Sequence, residues 1–439
     1  MALSTEVAPQ TPAALLTPSQ AEPVSINVLQ RIEQETLLQG REWTRLRLQE
    51  RLQREVDRMG PVSPHSGLKL KRARRIPMTV RTVCGTVELT VWYGHCRQSQ
   101  RNLTPVREVW RIAPHQQLSP ELELRLAYTA TETGSFEKAA RMAGTWGCAL
   151  SDDAIHACVG RKGRQALENP LTDLRPTPHN PFTLIIMMDG WLARHRHSQW
   201  GAKPPEKKAD RVQWHEIKSA IIFRLEDRGQ TASGRRYLIH KQAVATPANT
   251  EPTDFAQQVH REAMRMGLAT ATKVYVVQDG AVYLWNIFED RFAQTADGVL
   301  DFYHASEHLW ALAHELFGDG SAEAKRWAHT LLHQLRHGKE DRVIRTLETL
   351  MTNPSNHAHA TETITTTAKY FIAHKDHIHY AALADQGIPI GSGAMESQCN
   401  QLQNRFKRRG QFWTQPGFAP LLAIALRSQN DELQSLWAA

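Results

Sequence analysis

Phe182-Thr183-Leu184-Ile185-Ile186-Met187-Met188-Asp189-Gly190 is the stretch on which the fold turns. Its apolar residues run on without the alternation of a half-exposed strand, as expected of a strand buried on both faces and therefore of a sheet covered by helices. The run stops at Asp189-Gly190, a pair that normally marks a turn. Moving outward, Ile217–Leu225 and Tyr237–Ala245 predict two neighbouring antiparallel strands. Residues 250–267 predict an amphipathic helix with Phe255, Val259, Ala263 and Met266 on one face. Lys273–Gln278 is a further buried strand that again stops at Asp-Gly, at Asp279-Gly280. A short helix bearing Leu284, Trp285, Ile287 and Phe288 comes next, then a strand over Val299–His304 that leads into a helix. Three strands, helix, strand, helix, strand is the order of an α/β domain.

From 305 to 386 no segment has strand character. Helices are expected near 306–317, 322–337, 341–351 and 361–384, with Gly-Asp-Gly, Gly-Lys and Asn-Pro-Ser-Asn between them. Many of the 21 histidines lie here. His329/His333 and His333/His337 each share a helix face, but no carboxylate stands at Glu-x-x-His spacing. A polar face is therefore the expectation, not a metal site. The stretch Ile388-Pro-Ile-Gly-Ser-Gly-Ala-Met-Glu396-Ser397 then opens a helix with one acid in its first turn. Asn400, Gln403 and Lys407 share the face of Glu396. At the helix end sits a cationic cluster of Arg405, Lys407, Arg408 and Arg409, and the ring of Trp413 is read as core.

Residues 1–25 read as a disordered leader rich in Ala, Pro, Thr and Ser. Residues 26–60 predict a helical segment interrupted at Gly40, a candidate for dimerisation. Residues 61–118 hold the basic run Lys69, Lys71, Arg72, Arg74 and Arg75, followed by a β-hairpin turning at Cys84-Gly85. His95 and Cys96 alone do not supply a four-ligand zinc site. Residues 119–169 have a helix-turn-helix outline, with caps at Ser119-Pro120 and Ser151 and a basic tail of Arg161, Lys162 and Arg164. Four prolines in 170–181 mark a linker. The sheet domain is then read as 182–304 and 387–439, split by the all-helical insertion 305–386.

The chain has 439 residues, 41% of them hydrophobic, and a net charge of +8, a basic bias suited to a polyanionic partner. Five scattered cysteines with no CxxC pair argue for a reducing compartment and a cytoplasmic location. No apolar stretch is long enough to span a membrane.

Three carboxylates stand out by position. Asp189 and Asp279 close two buried strands, and Glu396 opens the helix after the insertion. Residues just past strand ends gather at one edge of an α/β sheet, where ligands bind. Hard oxygen donors converging there suit a pair of Mg²⁺ ions. Each Asp-Gly taken singly reads first as a plain turn.

These pieces resemble the DDE transposases of bacterial insertion sequences, nearest to the IS-Kra type and its Mutator-like relatives. The resemblance rests on four motifs. They are Met188-Asp189-Gly190, Val277-Gln278-Asp279-Gly280-Ala281 with Trp285 behind it, Leu300-Asp301-Phe302-Tyr303-His304 with Glu307, and Gly387–Ser397. It covers about residues 182–413. It implies an RNase-H-like mixed sheet flanked by helices and interrupted by a helical insertion, behind a mainly helical DNA-binding region. It implies Asp189, Asp279 and Glu396 as catalytic metal ligands for two Mg²⁺ ions, with Mn²⁺ able to substitute, and Asp301 and His304 in supporting positions. Its partners would be double-stranded DNA (the terminal inverted repeats and the target) and further copies of the chain. In the bacterial cytoplasm the protein would sit on the nucleoid through that DNA. The three basic groups would contact phosphates. Two features depart from relatives: the CxxC pair after the hairpin is replaced by Cys96-Arg-Gln-Ser-Gln, and Tyr283 stands where another aromatic is usual. An RNase-H-like nuclease without strand transfer, or a non-catalytic DNA-binding descendant, remains open on sequence alone.

Overall fold

The computed structural model describes residues 27–112, 115–197, 200, 211–234, 236–352 and 358–438. The leader expected over 1–25 lies outside these residues. Two units divide between Ser119 and Pro120.

The first unit holds α1 (Val28–Met59), β1 (Lys71–Thr82), β2 (Gly85–Cys96), β3 (Arg101–Leu103) and α2 (Pro105–Val109). The helix runs through Gly40 without a break, where the sequence predicted an interruption. A single interior glycine costs only about 1 kcal/mol, too little to end a helix of this length. Its C-terminal part packs Leu48, Leu52 and Val56 on the hairpin residues Val87, Leu89 and Val91. Leu29, Ile32 and Leu37 remain exposed. The hairpin forms as expected, antiparallel with Thr82 opposite Gly85.

The second unit begins with α3 (Pro120–Glu132), α4 (Phe136–Thr145) and α5 (Asp152–Glu168), where Ser135 and Ser151 cap α4 and α5 through their side chains. It continues with β4 (Thr183–Arg196), β5 (Val212–Arg224), β6 (Arg228–Gln230), β7 (Arg236–Leu238) and β8 (Gln242–Ala245). Then come α6 (Pro252–Met266), β9 (Lys273–Gln278), α7 (Val282–Arg291) and β10 (Asp297–Leu300). The insertion contains α8 (Phe302–Phe317), α9 (Ala322–Arg336), α10 (Glu340–Thr352), α11 (Thr361–Ala373) and α12 (Tyr380–Asp385). The chain closes with α13 (Gly393–Phe406), α14 (Gln415–Gln429) and α15 (Ser435–Ala438).

The main sheet has the order β10-β9-β4-β5-β8. In that sheet β4, β5 and β8 are antiparallel neighbours, while β9 and β10 run parallel to β4. A first strand at the centre, two antiparallel followers on one side and two parallel strands on the other is the RNase-H-like arrangement. The apolar run of β4 explains its central place. Leu184, Ile186 and Met188 join Phe255 and Val259 of α6 and Leu284 of α7 in one core, and Ile185 and Met187 are equally buried on the other face. There α13 packs on β4.

Three strand expectations need correction: the strand read over Val299–His304 is β10 at Asp297–Leu300, and α8 already begins at Phe302. β4 does not stop at Asp189-Gly190 but continues to Arg196, paired residue by residue with β5. Inward alternation persists at Trp191, Ala193 and His195, and this outweighs the local turn preference of Asp-Gly. The span 237–245 is two pieces: β7 pairs with β6 in a separate arm, and only β8 joins the main sheet. In the insertion, the helix expected over 361–384 breaks into α11, a short 3₁₀ turn at Lys375–His377, and α12.

Residues 120–169 belong to the same unit as the sheet. α5 continues to Glu168 and is covered by α14, whose Pro420 backbone lies where a Cβ on Gly163 would be. Beyond α14, Glu432 binds Arg265 of α6 at 2.7 Å and Arg175 at 3.0 Å, tying the C-terminal segment to the sheet. Among the described residues no helix is long and apolar enough to cross a membrane.

Candidate functional site

Asp189 lies on β4 one residue beyond the point where the parallel partner β9 ends, since Met188 pairs with Gln278. Asp279 follows that last residue of β9. The two acids therefore stand at the same level of the sheet, where one strand has turned away and left an opening. The Asp279 Oδ1 accepts the Ala281 N–H at 2.9 Å, which shapes the turn into α7, and the Trp285 indole donates to the Asp279 carbonyl at 2.7 Å.

Glu396 comes to the same end of the sheet on α13. It sits in the first turn, exposed, and three residues on, the buried Cys399 thiol lies 3.9 Å from Asp189 Oδ2. Residues three apart share a helix face, so this contact turns Glu396 towards Asp189. The electrostatics agree. Burial pushes the Asp189 carboxyl up to about 6, the Gly190 N–H at 2.6 Å opposes this, and the charges of Asp279 and Glu396 add to it while His304 subtracts. Burial, together with the Asp189 carboxylate, also pushes the Cys399 thiol up to about 12, so it stays a neutral donor. The side chains as placed do not form a closed ligand set: among the described residues no three His, Cys, Asp or Glu could hold a metal ion.

Asp301 and His304, expected in supporting positions, stand at the N-cap and in the first turn of α8. Asp301 is fully buried; its Oδ1 caps α8 by accepting the Tyr303 and His304 amides at 2.6 and 3.2 Å. Its Oδ2 accepts the Ser392 N–H at 2.6 Å, and the Phe302 N–H donates to the Ile390 carbonyl at 2.9 Å. One buried carboxylate thus joins the first turn of α8 to the turn that opens α13.

Sequence reading missed a neighbouring trio. Glu216 and Lys218 of β5 lie opposite Leu192 and Gly190 of β4. The Glu216 carboxylate occupies the space a Cβ on Gly190 would need, accepts the Tyr283 hydroxyl at 2.9 Å and faces Lys218 Nζ at 3.8 Å. Burial and the carboxylates of Glu216, Asp279 and Asp189 hold the Tyr283 phenol well above its ordinary range. The signal was two charged residues preceding an apolar strand run, visible only once β5 was set in register against Asp189-Gly190.

The insertion walls the Asp279 turn. The Tyr370 ring fills the space above Gly280 and stacks on His308 at 4.0 Å. His374 and His377 lie 4.6 and 4.3 Å from the Trp285 ring, and His377 Nδ1 is 3.1 Å from the Gly298 carbonyl. Part of the histidine content is therefore packing, not a polar surface.

The basic groups divide. Lys69, Lys71, Arg72 and Arg74 are exposed, while Arg75 pairs with Asp57 at 2.6 Å and covers Trp92. In α5, Arg164 is exposed, but Arg161 is bonded to Glu123 and Lys162 lies over Trp437, so the expected basic tail is largely engaged within the unit. Arg408 and Arg409 are exposed and Lys407 is half-buried beside Trp214. Arg405 corrects its expectation. It is 6% exposed, boxed by Phe136, Phe406 and Trp413, and donates to the Ala130 carbonyl at 2.8 Å. Burial lowers it to about 10. Trp413 itself packs on Phe406 and Phe418.

Among solved structures, the chain is similar to the Drosophila P element transposase strand transfer complex over 76% of its length and 85% of that chain, at 11% identity and a TM-score of 0.25. It is similar to NurA with manganese over 65% of its length and 63% of that chain, at 11% identity and a TM-score of 0.10. No family model matches the chain, and no curated protein does. The order and direction of the strands in the main sheet define the RNase-H-like arrangement.

Proposed function

We propose that the chain is a DNA transposase of the DDE class, cutting at the terminal inverted repeats of its own element and joining the freed ends to target DNA. What supports this reading is that Asp189 and Asp279 stand at one level of the sheet where β9 ends, and that α13, with Glu396 in its first turn, packs on β4 through the Cys399–Asp189 contact. The motif resemblance over residues 182–413 supports the same assignment.

The donor chemistry fits a divalent cation. Three carboxylates are hard oxygen ligands, and a cation would offset the burial that chiefly raises Asp189 as well as the smaller repulsion from Asp279 and Glu396. Asp189, Asp279 and Glu396 would hold two Mg²⁺ ions, or Mn²⁺. Bound there, the metals would supply activation of a water or 3′-hydroxyl and stabilisation of the departing oxygen. The chain's own groups do the positioning. Gly190 N–H and the Cys399 thiol orient Asp189, the Ala281 amide holds Asp279, and exposed Glu396 is free to turn inward. Lys407, Arg408 and Arg409, at the far end of the helix that carries Glu396, would hold the backbone of the strand being cut. Synapsis of two ends implies a homodimer or larger assembly.

Purified protein, a terminal-repeat duplex and Mg²⁺ test the proposal. Cleavage with a joined donor–target product is expected. Asp279→Ala should reduce it by about a hundredfold or more, the order seen when one transition-state stabilising group is removed. Undiminished cleavage by that variant would remove the three-carboxylate mechanism, and cleavage without joining would leave a nuclease.

A further inference from the structure

Within the insertion, α8, α9 and the start of α10 enclose an open groove of about 790 Å³. The last turns of α9 and the first turn of α10 reverse around Gly338, at φ 66°, and project Arg336, Lys339 and Arg342 into it. His329, His333 and His337 line the same side at helical spacing. The rings of His333 and His337 lie 4.1 Å apart, two imidazoles turned to one space.

Three features distinguish this groove from an ordinary solvated helix face. No acidic side chain lines it, and among the described residues Arg336, Lys339 and Arg342 make no ion pair. Of the two acids between Lys339 and Arg342, Glu340 is turned to His379, with Oε1 2.6 Å from the ring Nδ1, and Asp341 does not line the groove. The Arg336 guanidinium lies over the Phe302 ring, 4.5 Å from its centroid, so its direction is set without a carboxylate. Uncompensated cations fixed in a concave surface focus positive potential and attract polyanions.

The groove also adjoins the carboxylate opening. Tyr303, exposed on its rim, places its ring 2.6 Å from where a Cβ on Gly391 would stand, against the turn that opens α13. Phe302 and Tyr303 directly follow Asp301, which holds that turn. The groove and Glu396 are therefore built on one rigid joint.

We propose that this groove is a second DNA-binding site, taking the phosphodiester backbone of the duplex beside the strand held at the carboxylates. Arg336, Lys339 and Arg342 make phosphate contacts, and Tyr303 packs against the sugar edge. The inference rests on the nucleic-acid reading above but is independent of its chemistry.

The test is equilibrium binding of a labelled duplex to the full chain in EDTA across a salt series, with Arg336→Ala/Lys339→Ala/Arg342→Ala compared to the unaltered protein. Loss of three phosphate contacts should weaken binding about tenfold or more and reduce the slope of log K against log salt by about 3. Unchanged affinity and slope would overturn the proposal. All three side chains are exposed, so the variant should keep its melting temperature. As a second readout, a photo-crosslinker attached at Thr330→Cys, within the groove, should capture the duplex, and failure to do so counts against the site. A triple variant that loses affinity for inorganic phosphate but keeps that for DNA would make this a small-anion site, and the DNA proposal would fall. Absence of metal-dependent cleavage by the unaltered protein, with the groove's contribution to binding intact, would defeat the transposase reading alone.

Discussion

Asp301 Oδ2 accepts the Ser392 N–H at 2.6 Å, a bond across 91 residues that joins the two ends of the helical insertion. The same carboxylate caps α8, so one buried side chain sets both where the insertion leaves the sheet and where α13 returns with Glu396.

Replacing Asp301 by Ala removes a helix cap and a charge-assisted bond and leaves the Ser392 amide buried without a partner. The expected loss is about 2–4 kcal/mol of stability, read from the urea midpoint at unchanged slope. An unchanged midpoint would show that the joint is held by packing alone.

Two glycines beside the acids should behave differently. At Gly280 a Cβ meets the packed Tyr370 ring, and Gly280→Ala is expected to cost about 2 kcal/mol or more through overpacking. At Gly190 the obstacle is the far end of the Glu216 side chain, which can swing away. Gly190→Ala should cost less than about 1 kcal/mol, while breaking the Tyr283–Glu216 bond and lowering the phenol's titration point. Paired thermal melts and a Tyr absorbance titration distinguish the two.

Acid should loosen the insertion. Burial lowers the His374 imidazole from 6.5 to about 4, with His377 and His308 adding to the effect, and both of those are themselves lowered by burial. Between about 6.5 and about 4 the unfolded chain binds a proton that the folded chain refuses. Stability is therefore complete above that window and falls as pH drops through it. His374→Gln should flatten the dependence of melting temperature on pH across pH 6.5 to 4. An equal slope in variant and unaltered protein would show that other groups govern it.

A cation held by Asp189, Asp279 and Glu396 stabilises the native state by mass action, about 2.7 kcal/mol when present at a hundred times its Kd. Adding Mg²⁺ or Mn²⁺ should raise the melting temperature, and EDTA should reverse the rise. In Asp279→Asn the metal-dependent rise should vanish, while the metal-free melting temperature holds or increases, because one of the repelling charges around Asp189 is gone. A full metal response in that variant would exclude Asp279 as a ligand.

Much of this protein was determined locally, in the sequence itself. The apolar runs at 183–188 and 273–277 made the central parallel pair, the caps at Ser135, Ser151 and Ser321 began helices, and Glu396 stands in the first turn of a helix as its neighbours predict. Such features need only near neighbours, since periodicity and capping act within a turn or two. Other features needed partners that arrive from far along the chain. Strand β4 runs through Asp189-Gly190 because β5 pairs with it there, and Arg405 is buried because Phe136 and Trp413 close over it. Glu216 joins the site through the register of that hairpin, and the cationic groove forms only where α8, α9 and α10 meet. The burial of a charged side chain and its company depend on contacts between remote segments, and only the folded chain decides those.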